Sequence, residues 1–175
     1  MKKELRLSGT GGQGLILAGI ILAEAALLDG KLAIQSQSYG PEARGGSSKS
    51  EVIISDKAIH FPKVTKPNLL LAMSQEASKK YSEDLTAESI LVTDSLFVQT
   101  LPAHSGKVYE LPITHTAKEV LGKALFANII ALGAIVKLTG IVSEESLINA
   151  VLNRVPKGTE ELNKKAIQLG MDLIK

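Results

Sequence analysis

Three groups of residues in this chain have types and spacings that could do chemistry. The first is Gly9-Thr10-Gly11-Gly12-Gln13-Gly14. Its glycines permit a tight turn, and the apolar run from Leu15 reads as a helix whose free N–H groups could face an anion. The second is QSQSYGPEARGGSSKSEVIIS, residues 35–55. There Arg44 could grip a phosphate or carboxylate in a fork, with Gly45 and Gly46 freeing backbone N–H groups beside it. Tyr39 could stack on a flat ligand or on a partner, and Glu42 stands close enough in sequence to pair with Arg44. The third group is scattered. His60, His104 and His115 share no metal-ligand spacing and read as surface or turn residues. Asp94 closes an expected strand, where open α/β sheets place ligands, and is equally a natural helix or turn cap.

Both glycine groups have plain alternatives. The first would also suit a turn that packs a helix closely on a sheet. The second would also suit a solvated loop with Glu42 and Arg44 paired. A nicotinamide dinucleotide site needs an acidic residue at the end of the second strand. That strand is expected to end at Gln35-Ser36, and Asp29 lies before it. No Gly-Lys-Ser/Thr follows the glycines, so a Walker phosphate loop is absent. No carboxylate pair or catalytic triad can be assembled from the spacing.

The elements that must position these residues follow from periodicity and punctuation. Strands are expected at 4–8, 32–35, 50–54, 68–72, 90–93 and 108–111. A first helix is expected at 12–28, ending at the Asp29-Gly30 turn. Others are expected at 75–81 behind Ser74, near 117 where Thr116 and Glu119 have capping-box spacing, and at 125–138. Two more follow at 144–153 behind Ser143 and 160–174 behind Thr159. The 125–138 helix is nearly all apolar and should be covered on most sides. Residues 36–48 lack hydrophobic periodicity and read as a loop. The expected fold is α/β: a three-layer, Rossmann-like single domain over 1–175, with a largely parallel sheet and a helical C-terminal third.

Composition narrows the function. The 175 residues carry a net charge of +2, no cysteine and 3% aromatics with no Trp. A base-stacking surface and a basic stripe are both missing, which argues against nucleic acid and anionic membrane as partners. Without cysteine the chain has no thiolate ligands for an iron–sulfur cluster. Residues 1–7 do not read as a signal peptide, and the longest apolar run is broken by Asn128, so the expected location is cytoplasmic.

Taken together, the segments resemble one family. GTGGQGLILAGIILAEAA at 9–26, QSYGPEARGGSSKSEVIIS at 37–55 and KPNLLLAMSQEASKKY at 66–81 carry the resemblance. ILVTDS at 90–95 and ALFANIIALG at 124–133 extend it over nearly the whole chain. The sequence resembles the gamma subunit of 2-oxoacid:ferredoxin oxidoreductases, and its wording is most similar to the 2-oxoglutarate branch. Thr10 departs from the bulkier residue of many relatives.

The resemblance implies a role inside a heteromeric complex. Such a complex decarboxylates a 2-oxoacid on thiamine diphosphate, reduces ferredoxin through iron–sulfur clusters and forms an acyl-CoA. Thiamine diphosphate and the clusters are implied for alpha, beta and ferredoxin-like delta partners. A place near coenzyme A is implied for this chain, with Gly9, Gly11, Gly12, Gln13, Gly14, Tyr39, Glu42, Arg44, Gly45 and Gly46 expected to grip it or to contact a partner subunit. Two rival expectations stand beside it: a self-sufficient nucleotide-binding enzyme, and a purely structural subunit that touches no ligand.

Overall fold

The computed structural model describes residues 1–39 and 46–175, with Tyr39 described by its backbone alone. Six strands form one sheet: β1 (Lys2–Thr10), β2 (Leu32–Tyr39), β3 (Ser47–Ser55), β4 (Leu69–Ala72), β5 (Ile90–Asp94) and β6 (Lys107–Leu111). Their spatial order is β2-β3-β1-β4-β5-β6. β1, β4, β5 and β6 are parallel neighbours, whereas β3 runs antiparallel to both β1 and β2. The sheet is thus mixed but mostly parallel, with β3 alone reversed. The helices are α1 (Leu15–Leu28), α2 (Gln75–Tyr81), α3 (Ile113–Leu121), α4 (Ala127–Thr139), α5 (Glu144–Leu152) and α6 (Glu160–Asp172).

The expected loop at 36–48 is a correction. β2 runs on to Tyr39, and β3 starts at Ser47 rather than Ser50. Backbone pairing from Leu32↔Ser55 to Tyr39↔Ser48 carries this ladder. β2 lies at the sheet's edge, and Ser36, Gln37 and Ser38 are exposed. Polar side chains suffice there, so the hydrophobic signal is missing although the strand exists.

One face of the sheet carries most of the core. Leu5, Leu7, Val52, Ile54, Leu69, Leu71 and Val92 pack with residues of α1, α4, α5 and α6. α4 is buried from Ala127 to Val136, as an all-apolar helix requires. α6 crosses it at glycines. A methyl group at Gly170 would overlap the Ile130 carbonyl oxygen, and one at Gly133 would overlap that of Ile167. The expected helix at 125–138 starts later than anticipated. Residues Ala124–Phe126 form a 3-10 turn, and Leu125 there is 64% exposed rather than covered.

The second face is covered by α2, whose Ala77 and Tyr81 meet Leu70 and Leu91. It also holds a charge. Arg6 is 4% exposed and stands directly opposite Glu51 in the β1–β3 register. Its Nε donates to Glu51 at 2.9 Å, and its two Nη groups donate to Asp84 at 2.6 and 2.9 Å.

Helix starts divide into those the sequence marks and those it does not. Ser74 and Ser143 accept from Ala77 N and Ser146 N, as their cap positions require. The proposed cap at Thr116 is wrong. α3 begins at Ile113, and Thr116 lies inside it with Oγ donating to the Pro112 carbonyl at 2.6 Å. Asp94 supplies the cap from β5, accepting the Thr114 N–H at 3.2 Å. Thr159 occupies the first cap position of α6, but its hydroxyl donates to the Pro156 carbonyl at 2.6 Å.

Asp29 ties the end of α1 to the start of α5. It accepts from Ser143 N at 2.6 Å, Ser143 Oγ at 2.7 Å and Ser146 Oγ at 2.6 Å. Burial pushes its carboxyl up, but the hydrogen bonds from Ser146 and Ser143 outweigh that and hold it below the usual range. A carboxyl lowered in the fold stabilises above its unfolded pKa of about 3.9, and that stability is lost as pH falls through the folded value. Asp29→Ala is therefore expected to cost about 1 kcal/mol at pH 7. Urea unfolding should show the difference from the parent shrinking as pH drops below about 4; a constant difference would refute the linkage.

Candidate functional site

The chain leaves β1 at Thr10 and turns through two residues that only glycine holds without strain. Gly12 has φ 92° and Gly14 has φ 76°. This is why α1 starts at Leu15 and not at Gly12. Gly14 stands at its cap in left-handed conformation, and no side chain caps the helix. Its first turn also has no acidic residue, so the positive end of the dipole is uncompensated there.

Gln13 holds the turn shut. Its Oε1 accepts from Thr10 N at 2.7 Å, and its Nε2 donates to the Met73 carbonyl at 2.9 Å. Met73 follows β4, so this one side chain laces the carboxyl ends of β1 and β4 together. That is the switch point, where α1 leads to one half of the sheet and β4 begins the other. Gly9 lies beneath it, because a methyl group there would overlap Gln13 Oε1. The second glycine segment arrives beside the first: Gly11 N donates to Gly46 O at 3.2 Å.

Two grooves flank this turn. One, of about 290 Å³, is lined by Thr10, Gly11, Gly12, Ile16 and Ser48. The other, of about 280 Å³, lies between Gly12, Gln13, Phe97, Thr114, Lys118 and Leu125. Lys118 is its one charge among the described residues, and Phe97 is 42% exposed. Asp94 lies fully buried at the end of β5 and is bonded to Thr114, which lines the groove. Burial pushes its carboxyl above the usual range, although hydrogen bonds from Thr114 and Leu96 and the charge of Lys118 pull the other way. These groups can hold an anion and a flat apolar surface. Among the described residues, no three His, Cys, Asp or Glu side chains come together as metal ligands.

Gly9, Gly11, Gly12, Gln13, Gly14 and Gly46 are thus brought to one edge. Tyr39 pairs with Ser48 in the strand ladder, so its backbone reaches the same edge. Glu42, Arg44 and Gly45 lie outside the described residues. The histidines stay apart: His60 and His115 are exposed, and the His104 ring meets the Ser89 carbonyl at 3.0 Å. Lys118, Phe97 and Thr114 were not read as site residues. Placing the start of α3 near Ala117 had detached Thr114 from that helix. The argument against a dinucleotide also changes. β2 does not end at Gln35-Ser36, but the reversed β3 separates it from β1. An acidic residue at the end of β2 would not stand beside the glycine turn.

A clasped glycine turn thus stands at the switch point of a mostly parallel sheet, in a chain with no cysteine. The chain belongs to the pyruvate ferredoxin/flavodoxin oxidoreductase family, which it matches over residues 4–173, as a gamma-type subunit of a 2-oxoacid:ferredoxin oxidoreductase. It is 51% identical over 178 residues to the 2-oxoglutarate synthase subunit KorC of Methanocaldococcus jannaschii, spanning 100% of this chain and 95% of that relative. It is 54% identical to the crystal structure of a keto/oxoacid ferredoxin oxidoreductase gamma subunit from Geobacter sulfurreducens, with a TM-score of 0.88 over 97% of this chain and 96% of that one. The fold also recurs, with a TM-score of 0.89 at 23% identity, in 31% of a chain of the 2-oxoglutarate:ferredoxin oxidoreductase from Magnetococcus marinus. That enzyme's structure holds 2-oxoglutarate, coenzyme A and succinyl-CoA. Among the described residues no helix of this chain is long and apolar enough to cross a membrane.

Proposed function

We propose that this chain serves a 2-oxoglutarate:ferredoxin oxidoreductase by holding the anionic part of coenzyme A at the edge of its sheet. Thiamine diphosphate and iron–sulfur clusters belong to alpha, beta and delta partners in this reading, because a chain with no cysteine lacks the usual cluster ligands. The isolated chain is inactive. The observation that carries the reading is the meeting of the two glycine segments, Gly11 N on Gly46 O, beside an uncapped helix start. Each groove, at about 280 and 290 Å³, lies near the lower end of the roughly 300–1,000 Å³ of small-molecule sites. In this reading coenzyme A is shared with a partner subunit. Lys118 meets a phosphate, Phe97 offers a ring face, and Arg44, with Tyr39, Glu42 and Gly45, completes the grip from the second segment.

Steady-state kinetics of the assembled enzyme test this. Lys118→Ala should raise the KM for coenzyme A about tenfold, the loss of one charge-assisted hydrogen bond, and leave kcat near its parent value. An unchanged KM would refute the contact. In the same assay, 2-oxoglutarate should exceed pyruvate in kcat/KM.

A further inference from the structure

A third groove opens beside the coenzyme edge and lacks its chemistry. It holds about 270 Å³ and runs between Leu17 of α1, the 3-10 turn and the start of α6. Its floor is apolar, with Phe126 4% and Ile129 3% exposed. Its walls end in leucines left in solvent: Leu17 is 36%, Leu162 43% and Leu125 64% exposed. Leu125 also lines the neighbouring groove, so it forms the ridge between the two.

An exposed leucine alone means little, but three converging on one apolar floor mark a surface that is covered in the working assembly. The charges around it select the cover. The charged residues lining the groove are Lys123 and Arg154. Arg154 gives its Nε–H to Glu24 at 2.8 Å, while Lys123 has no ion pair among the described residues. Among the described residues no carboxylate lines the groove, in a chain with 18 acidic residues. A second copy of the chain, meeting the groove with its own about a twofold axis, would bring another Lys123 and Arg154 and no lining carboxylate to face them. No backbone donors of the glycine turn line it either, which separates it from the coenzyme edge.

We infer that this groove docks an acidic, apolar-anchored segment of a partner subunit, with Leu125 as the ridge it straddles. The inference rests on the reading of this chain as a complex subunit. It fixes the order of the surface: coenzyme on one side of Leu125, protein on the other. Apolar anchors fill the floor, and carboxylates meet Lys123 at the rim, where they set orientation and association rate more than affinity.

The test uses the co-expressed complex. A photo-crosslinking benzoylphenylalanine in place of Leu125 should join a partner-subunit peptide containing Asp or Glu beside apolar residues. Leu125→Asp should weaken retention of the chain in the complex at least tenfold, with an unchanged circular dichroism spectrum. Lys123→Glu should weaken it several-fold and flatten its salt dependence. A crosslink to a second copy, the lack of any crosslink, or parent-like retention of Leu125→Asp would each overturn the inference. Coenzyme A kinetics on whatever complex assembles report on Lys118 separately, so the two readings fail independently.

Discussion

Gly170→Ala is expected to lower the melting temperature by roughly 4–8 °C, although the substitution improves helix propensity. Alanine in place of glycine inside a helix gains about 1 kcal/mol. Against that stands the crossing of α4 and α6. The added methyl group overlaps the Ile130 carbonyl oxygen and lies 2.9 Å from Ala134 N. Both are backbone atoms of a buried helix, so no side chain can swing aside and the helices must part. Overpacking commonly costs about 1–3 kcal/mol and more where nothing yields. The expected net loss is about 2 kcal/mol. Gly11→Ala is the control, because nothing lies within 4 Å of its added atom and its φ is not positive. It should stay within about 2 °C of the parent. Equal melting temperatures for the two variants would show that the crossing relaxes.

Arg6→Met is expected to cost about 3 kcal/mol in denaturant unfolding. The side chain is 5% exposed and serves Glu51, Asp84 and the Tyr81 carbonyl together. Its removal leaves carboxylates facing one another under α2. The loss falls at the lower end of the range for broken buried pairs because Asp84 is 40% exposed and Glu51 keeps Lys49 at 3.1 Å. The sharper check is recovery. Arg6→Met combined with Glu51→Gln and Asp84→Asn should regain at least about 1 kcal/mol, since no unpaired charge remains. No recovery would assign the loss to packing of the arginine stem instead.

How much of this was legible in the sequence depends on where each residue finds its partners. Strands β4 and β5 and helices α2 and α5 declare themselves through apolar runs and serine caps a few residues long. The run of β2 beyond Gln35 does not, because its QSQS is held by backbone pairing at an edge. Asp94 reads as a cap, but nothing in the sequence says that the helix it caps lies 20 residues downstream. The charged start Lys-Lys-Glu-Leu-Arg-Leu carries no sign that its arginine is buried, yet Arg6 is held by segments that come 45 and 78 residues later. At the site, the glycine turn was visible and its clasp by Gln13 was not, for no pattern links Gln13 to Met73. Lys118 and Phe97 reach the turn from elements far downstream.

The position of β1 has a consequence for how the protein acquires its shape. β1 lies inside the sheet, and its neighbours begin only at Ser47 and Leu69, well after it in the chain. During synthesis β1 and the apolar α1 must wait, unpaired, until distant segments emerge. Contacts of such long range close slowly, because the loop entropy is lost before the pairing energy is gained. Refolding is then expected to be slowed by the long-range pairing of β1 with β3 and β4, and the glycine edge, which lies across those same three strands, forms with that pairing.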